Sequence, residues 1–138
     1  MVHALHEARR VLVPQGILID LRPYCVEAPL ELSSEEGMES VALLDTSSSK
    51  PDDLAADKAM ESADLVGIIK ELKSEYFYYA YYWNSVEDMM LDYDEKWKDD
   101  IVLPKKVVQR ASSLYKKHPA HARLRIRIRA KLVLYAKQ

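Results

Sequence analysis

Glu7-Ala8-Arg9-Arg10-Val11-Leu12-Val13-Pro14-Gln15-Gly16-Ile17-Leu18-Ile19-Asp20-Leu21-Arg22-Pro23 is the stretch whose reading decides the fold. Its first part completes an amphipathic helix over 3–13, with Leu5, Ala8, Val11 and Leu12 at core spacing and Arg9 and Arg10 on the wet side. Pro14 ends the helix and Gly16 turns the chain. Ile17 to Leu21 follows as a near-continuous apolar run, the mark of a strand covered on both faces. Asp20, Arg22 and Pro23, with Tyr24 just beyond, point functional groups out of its carboxyl end.

This passage resembles the "EARRVLKPGGxLxDLRP" segment of class I S-adenosylmethionine-dependent methyltransferases, where the fourth helix leads into the fifth strand. Val13-Pro14-Gln15-Gly16 departs from the usual Lys-Pro-Gly-Gly at the turn. Further along, Asp52-Asp53-Leu54-Ala55-Ala56-Asp57-Lys58-Ala59-Met60 resembles the start of the family's last large helix. The aromatic run ending in Tyr82-Trp83-Asn84-Ser85 resembles its sixth strand, and the arginine-rich run near the end its antiparallel seventh. The resemblance implies an α/β fold class: a partial Rossmann-like methyltransferase fold, a mixed sheet with helices, the antiparallel last strand between the two before it. Residues 1–138 are expected to form a single domain equivalent to the family's C-terminal half.

In that family the opening passage lies deep in the second half of the domain, whereas here it starts near residue 1, so the first half is expected to be missing. The backbone-approach loop for the cofactor needs a GxGxG-like pattern, and this chain has only Gly16, Gly37 and Gly67, none of them clustered. The acid that holds the ribose is missing with its strand. No cofactor-binding residue is assigned, and no cofactor is expected for the chain alone; S-adenosylmethionine belongs to the intact family.

Composition bounds the rest. Of 138 residues, 49% are hydrophobic, enough for a real core. No run approaches the roughly eighteen apolar residues of a membrane helix, and no secretory signal opens the chain. Cys25 is the one cysteine, which excludes an internal disulfide, fits a reducing cytoplasm and reads as a small buried hydrophobe. Charge is polarised. From residue 101 onward there are eleven Lys or Arg and no acid, while the first hundred residues hold all 22 acids and the other nine bases. Such halves dock on each other, or on a second copy, more readily than they mark nucleic-acid binding.

Residues 22–50, with Pro23 and Pro29 and five glutamates between 27 and 39, read as wet and irregular, with a short strand over 39–45 and a loop at 46–50. Pro51-Asp52-Asp53 opens a helix over 51–73, its small residues Ala55, Ala56, Ala59, Ala63 and Gly67 lying along one side. Glu75 to Trp83 reads as a strand covered on each side. Asn84 or Ser85 caps a helix to about Lys98, and another runs from Pro104 to Lys117. The last strand, 122–135, alternates: Leu124, Ile126, Ile128, Ala130, Leu132 and Leu134 on one face, and Arg123, Arg125, Arg127, Arg129, Lys131 and Val133 on the other. His3 with His6, and His118 with His121, have ligand spacing but no cysteine or carboxylate in a recognisable pattern, so no metal site is assigned.

Three functions follow. The first is a truncated methyltransferase-like domain, not catalytic alone, serving as a self-associating structural or interaction protein. Its homodimer interface is expected at Ile17, Leu18, Ile19 and Leu21, an apolar strand that has lost its outer neighbour. The second is the substrate-side half of an enzyme, active only with a partner chain that supplies the cofactor site; Asp20, Arg22 and Tyr24 are then the catalytic candidates. The third is nucleic-acid binding through the Arg and Tyr strands, placed last because no RNP-type motif is present and arginines facing tyrosines satisfy one another. No membrane partner is expected.

Overall fold

The computed structural model describes residues 2–24, 26–118 and 120–138, and not the side chain of Val2. Cys25 lies outside the described residues, and with it the reading of its thiol. The fold class is α/β, with antiparallel strands and, among the described residues, four α-helices. The chain divides into two units: Met1–Tyr24, Lys50–Phe77 and Ala130–Gln138 form unit 1, and Cys25–Ser49 and Tyr78–Arg129 form unit 2.

Unit 1 starts with α1 (Val2–Val11) and β1 (Ile17–Pro23). It continues with α2 (Lys50–Leu65), whose first turn carries Asp52 and Asp53 at the positive end of the helix dipole. The helix stops eight residues before the expected end at residue 73. Gly67, at φ +70, closes it: Ile68 N–H donates to the Ala63 carbonyl and Gly67 N–H to that of Asp64, the paired bonds of a Schellman cap. Residues from Ile69 onward are therefore strand, not helix, and β4 (Ile69–Trp83) is twice as long as its aromatic half.

β1 pairs antiparallel with the end of β5 (Arg123–Lys137), from Ile17 opposite Ala136 to Pro23 opposite Ala130. β4 pairs with β5 as well, so β5 has both β1 and β4 as partners. Every pairing with a register is antiparallel where a mixed sheet was expected, because no helical crossover joins β1 to a neighbour. One face of this sheet is covered: Leu18, Val133, Tyr135 and Ile69 pack with Leu5 of α1 and with Met60 and Ala63 of α2. The other face is not. Ile17, Ile19 and Leu21 are 47%, 60% and 58% exposed, which corrects the expectation of a strand buried on both sides.

In unit 2, the stretch read as irregular contains β2 (Ala28–Ser34), which forms a hairpin with β3 (Gly37–Leu44). Pro29 did not forbid it. The pairing of β2 with β5 begins at Leu30, opposite Ile126, so the missing N–H lies outside that register. Ser85 caps α3 (Val86–Asp92), its hydroxyl accepting from Asp88 N–H at 3.0 Å. A π-turn over Tyr93–Trp97 follows, then α4 (Lys105–Lys117). Leu30, Leu32, Leu124 and Ile126 bury against Trp83, Met89, Ala111 and Leu114. The aromatic strand is not enclosed: Tyr78, Tyr81 and Tyr82 are 51%, 45% and 42% exposed.

Candidate functional site

The alternation of β1 sends Leu18, Asp20 and Arg22 to the covered face of unit 1, opposite Tyr135, Val133 and Lys131 of β5. Leu18 joins the core there, so it leaves the expected interface set of Ile17, Leu18, Ile19 and Leu21. Beyond Val133 the face turns polar. Arg22 Nε donates to Asp20 Oδ1 at 2.9 Å, and its Nη2 donates to Asp20 Oδ2 at 2.9 Å and to Asp57 Oδ1 at 2.8 Å. Lys131 Nζ reaches the same Asp57 oxygen at 2.8 Å, and the Tyr24 hydroxyl donates to Asp57 Oδ2 at 3.3 Å. Tyr24 also meets Tyr76 edge-on, with centroids 5.5 Å apart.

The three catalytic candidates, Asp20, Arg22 and Tyr24, are thus brought together, and Asp57 is the residue that gathers them. Its signal in the sequence is weak: it follows Ala56, which is buried, and so lies near the sheet-facing side of α2. Two carboxylates against two cations leave the cluster neutral. Burial works against the charge on Asp57, but hydrogen bonds from Lys131 and Arg22 outweigh it and hold the carboxyl below the usual range. Lys131 and Arg22 are raised in the same way, burial opposing and their bonds to the aspartates prevailing. Tyr24 is raised, first by burial and then by the Asp57 charge. A phenol held protonated beside a fully paired carboxylate is no general base. One donor is unused: Arg22 Nη1 is buried with no hydrogen-bond acceptor among the described residues.

Unit 2 holds a second constellation. Glu31 of β2 sits opposite Arg125. Arg125 Nε donates to Glu31 Oε2 at 2.6 Å and Arg127 Nη2 to Glu31 Oε1 at 3.0 Å. Arg123 lies over the Tyr82 ring at 4.6 Å, and Arg127 over Tyr78 at 5.3 Å. Arg125 and Arg127 therefore lie against an acid and tyrosines, as their placement opposite the aromatic strand suggests. Arg129 is half-buried on the same strand.

Cavities are few. An apolar void of about 20 Å³ lies among Leu30, Trp83, Met89 and Ile126 in unit 2, room for no more than a water. An open cleft of about 350 Å³ in unit 1 is lined by His6, Arg9, Arg10 and Lys137. No group of three or more potential metal ligands forms, and no helix is long and apolar enough to cross a membrane, among the described residues. Comparison with protein-family models, curated proteins and solved structures finds no match to the chain.

Proposed function

We propose that the chain is a methyltransferase-like half-domain that is not catalytic alone and acts as a self-associating interaction protein in the cytoplasm, its partner a second copy of itself. The sequence passage around Asp20-Leu21-Arg22-Pro23 supports the family reading, and so does β5, which pairs with both β1 and β4. The observation that carries self-association is the open face of unit 1. Ile17, Ile19 and Leu21 stand opposite Ala136, Leu134 and Leu132, and opposed residues share a face, so six apolar side chains form one uncharged patch. β1 also ends the strand order, leaving its outer edge without a strand partner among the described residues.

A second copy fits best because a two-fold axis closes both patches and both edges at once. Fully burying an Ile or Leu contributes about 1.5–3 kcal/mol, and roughly half of that is still available at each of the three exposed positions. Six such side chains across two copies supply about 6 kcal/mol, against an association cost of about 4–15 kcal/mol. Apolar burial alone comes near break-even, and Leu132, Leu134 and edge pairing tip the balance. Micromolar association needs about 8 kcal/mol net, so these last contacts must supply most of it and the dimer is reversible on dilution. Light scattering against dilution is the test: mass should rise toward twice the monomer, and Ile19→Glu should hold it at one with an unchanged circular dichroism spectrum. A wild-type chain that stays monomeric at high micromolar concentration sinks the proposal.

A second reading, a substrate-side half completed by another chain, has one observation in its favour. The unused Arg22 Nη1 donor, beside Tyr24 at the carboxyl end of β1, is what an anionic substrate group needs.

A further inference from the structure

The N-terminal half of β5 in unit 2 buries Leu124 and Ile126 and turns Arg123, Arg125 and Arg127 to the other side. Strand rise spaces these guanidinium stems about 6.8 Å apart, comparable to successive phosphates of an extended strand. Tyr78 and Tyr82 of β4 interleave with them: Arg123 and Arg127 lie over their rings, and Arg125 Nη1 donates to the Tyr82 hydroxyl at 3.4 Å. Among the described residues Glu31 is the one acid bonded to Arg123, Arg125 or Arg127, so three cations meet one anion. The stripe stays positive and is held in place before any ligand arrives.

We propose that this surface is a binding platform for single-stranded nucleic acid. The rings decide the class. Phenols that serve only to satisfy arginines have no reason to remain 51% and 42% exposed, while bases stack on any available π-face. An acidic peptide uses the cations and leaves the rings idle. A duplex hides its base faces, and an open sheet surface carries no element to enter a groove. The arginines' bonds to Glu31 and the rings fix them at a spacing that tracks a backbone, without sequence preference.

The experiment is fluorescence anisotropy of the whole chain with a labelled oligothymidylate of about ten nucleotides, within the site size of small sheet-based binders. With three phosphate contacts, log K should fall against log salt with a slope of about −2. Tyr78→Leu with Tyr82→Leu keeps apolar bulk and should weaken binding roughly thirty-fold or more, the loss of two base stacks. Arg123→Gln, which breaks no bond to Glu31, should make the slope shallower by about 0.7. Ile19→Glu should leave the titration unchanged, which separates this surface from the self-association face of unit 1. No binding at low salt overturns the proposal. So does equal competition by polyglutamate together with indifference to the two tyrosine substitutions, the pattern of an acidic-polypeptide site.

Discussion

Glu31→Gln tests how unit 2 is held together. The carboxylate accepts from two guanidiniums, and its side chain is 14% exposed while those of Arg125 and Arg127 are 22% and 36%. The amide keeps the shape but loses the charge, and it turns an N–H₂ toward a cation that has nothing to accept with. Each hydrogen bond to a charged group contributes about 1.5–3 kcal/mol when well buried. Partial exposure of the arginines, and the rings that still hold them, cut the sum by at least half, to about 2 kcal/mol. A chain of this length has an unfolding entropy of about 0.3 kcal/mol/K, so Tm should fall by about 7 °C in a calorimetric scan at neutral pH. If unit 2 melts as its own transition, the shift belongs to that transition. The cycle with Arg125→Met completes the test: in that background the Glu31→Gln penalty should drop by half or more. A Tm within about 2 °C of wild type, or penalties that simply add, refutes the view that Glu31 is the keystone of the arginine stripe.

Two further outcomes are expected. Burial, followed by the Glu71 charge, pushes the Tyr135 phenol up to about 12, and its side chain is 4% exposed. The folded chain keeps this proton where the unfolded chain releases it near the ordinary value of about 10, so the contribution is whole below pH 10 and lost as pH rises to 12; urea melts across that window should show a loss of about 3 kcal/mol that Tyr135→Phe reduces. Gly67→Ala meets no atom within 4 Å, yet its φ of +70 remains, so a cost of about 1–2 kcal/mol from backbone strain alone should lower Tm by a few degrees, with Gly67→Asn losing less.

Much of the fold was legible where a local rule had no competitor. Pro14 and Gly16 placed the helix-to-strand turn, Ser85 its cap, and Pro104 the last helix. The boundary of α2 was missed because Gly67 was weighed as one more small residue when its backbone was the signal. β2 was missed because Pro29 and the glutamates drew more weight than the alternation of Ala28, Leu30 and Leu32, which are 2%, 1% and 1% exposed. The polar cluster was half legible. Asp20, Arg22 and Tyr24 are neighbours in the chain, whereas Asp57 and Lys131 arrive only through the packing of α2 and the register of β5.

β5 shows most clearly what alternation can and cannot reveal. Arg123 through Arg129 on odd positions, with apolar residues on even ones, describe one wet face and one dry one. Val133 and Tyr135 are also odd, and they are 0% and 4% exposed, while Leu132 and Leu134 are only half-buried. From Leu124 to Ala130 the buried positions are even; from Val133 on they are odd. The chain announces the change just after Lys131, at Leu132-Val133-Leu134, where period two dissolves into a run apolar at every position. Such a run normally means cover on both faces. In unit 1 the described residues cover only one, and the same excess of apolar side chains recurs opposite, at Ile17, Ile19 and Leu21. The uncovered face of the two paired strands is apolar at six positions, while the covered one turns polar at Asp20, Arg22 and Lys131, and it is the uncovered face that the proposed self-association would bury. That is the physical content of the self-association reading, and why Ile19→Glu is its sharpest perturbation: it adds charge to the uncovered face while leaving Leu18, Asp20 and the core beneath untouched.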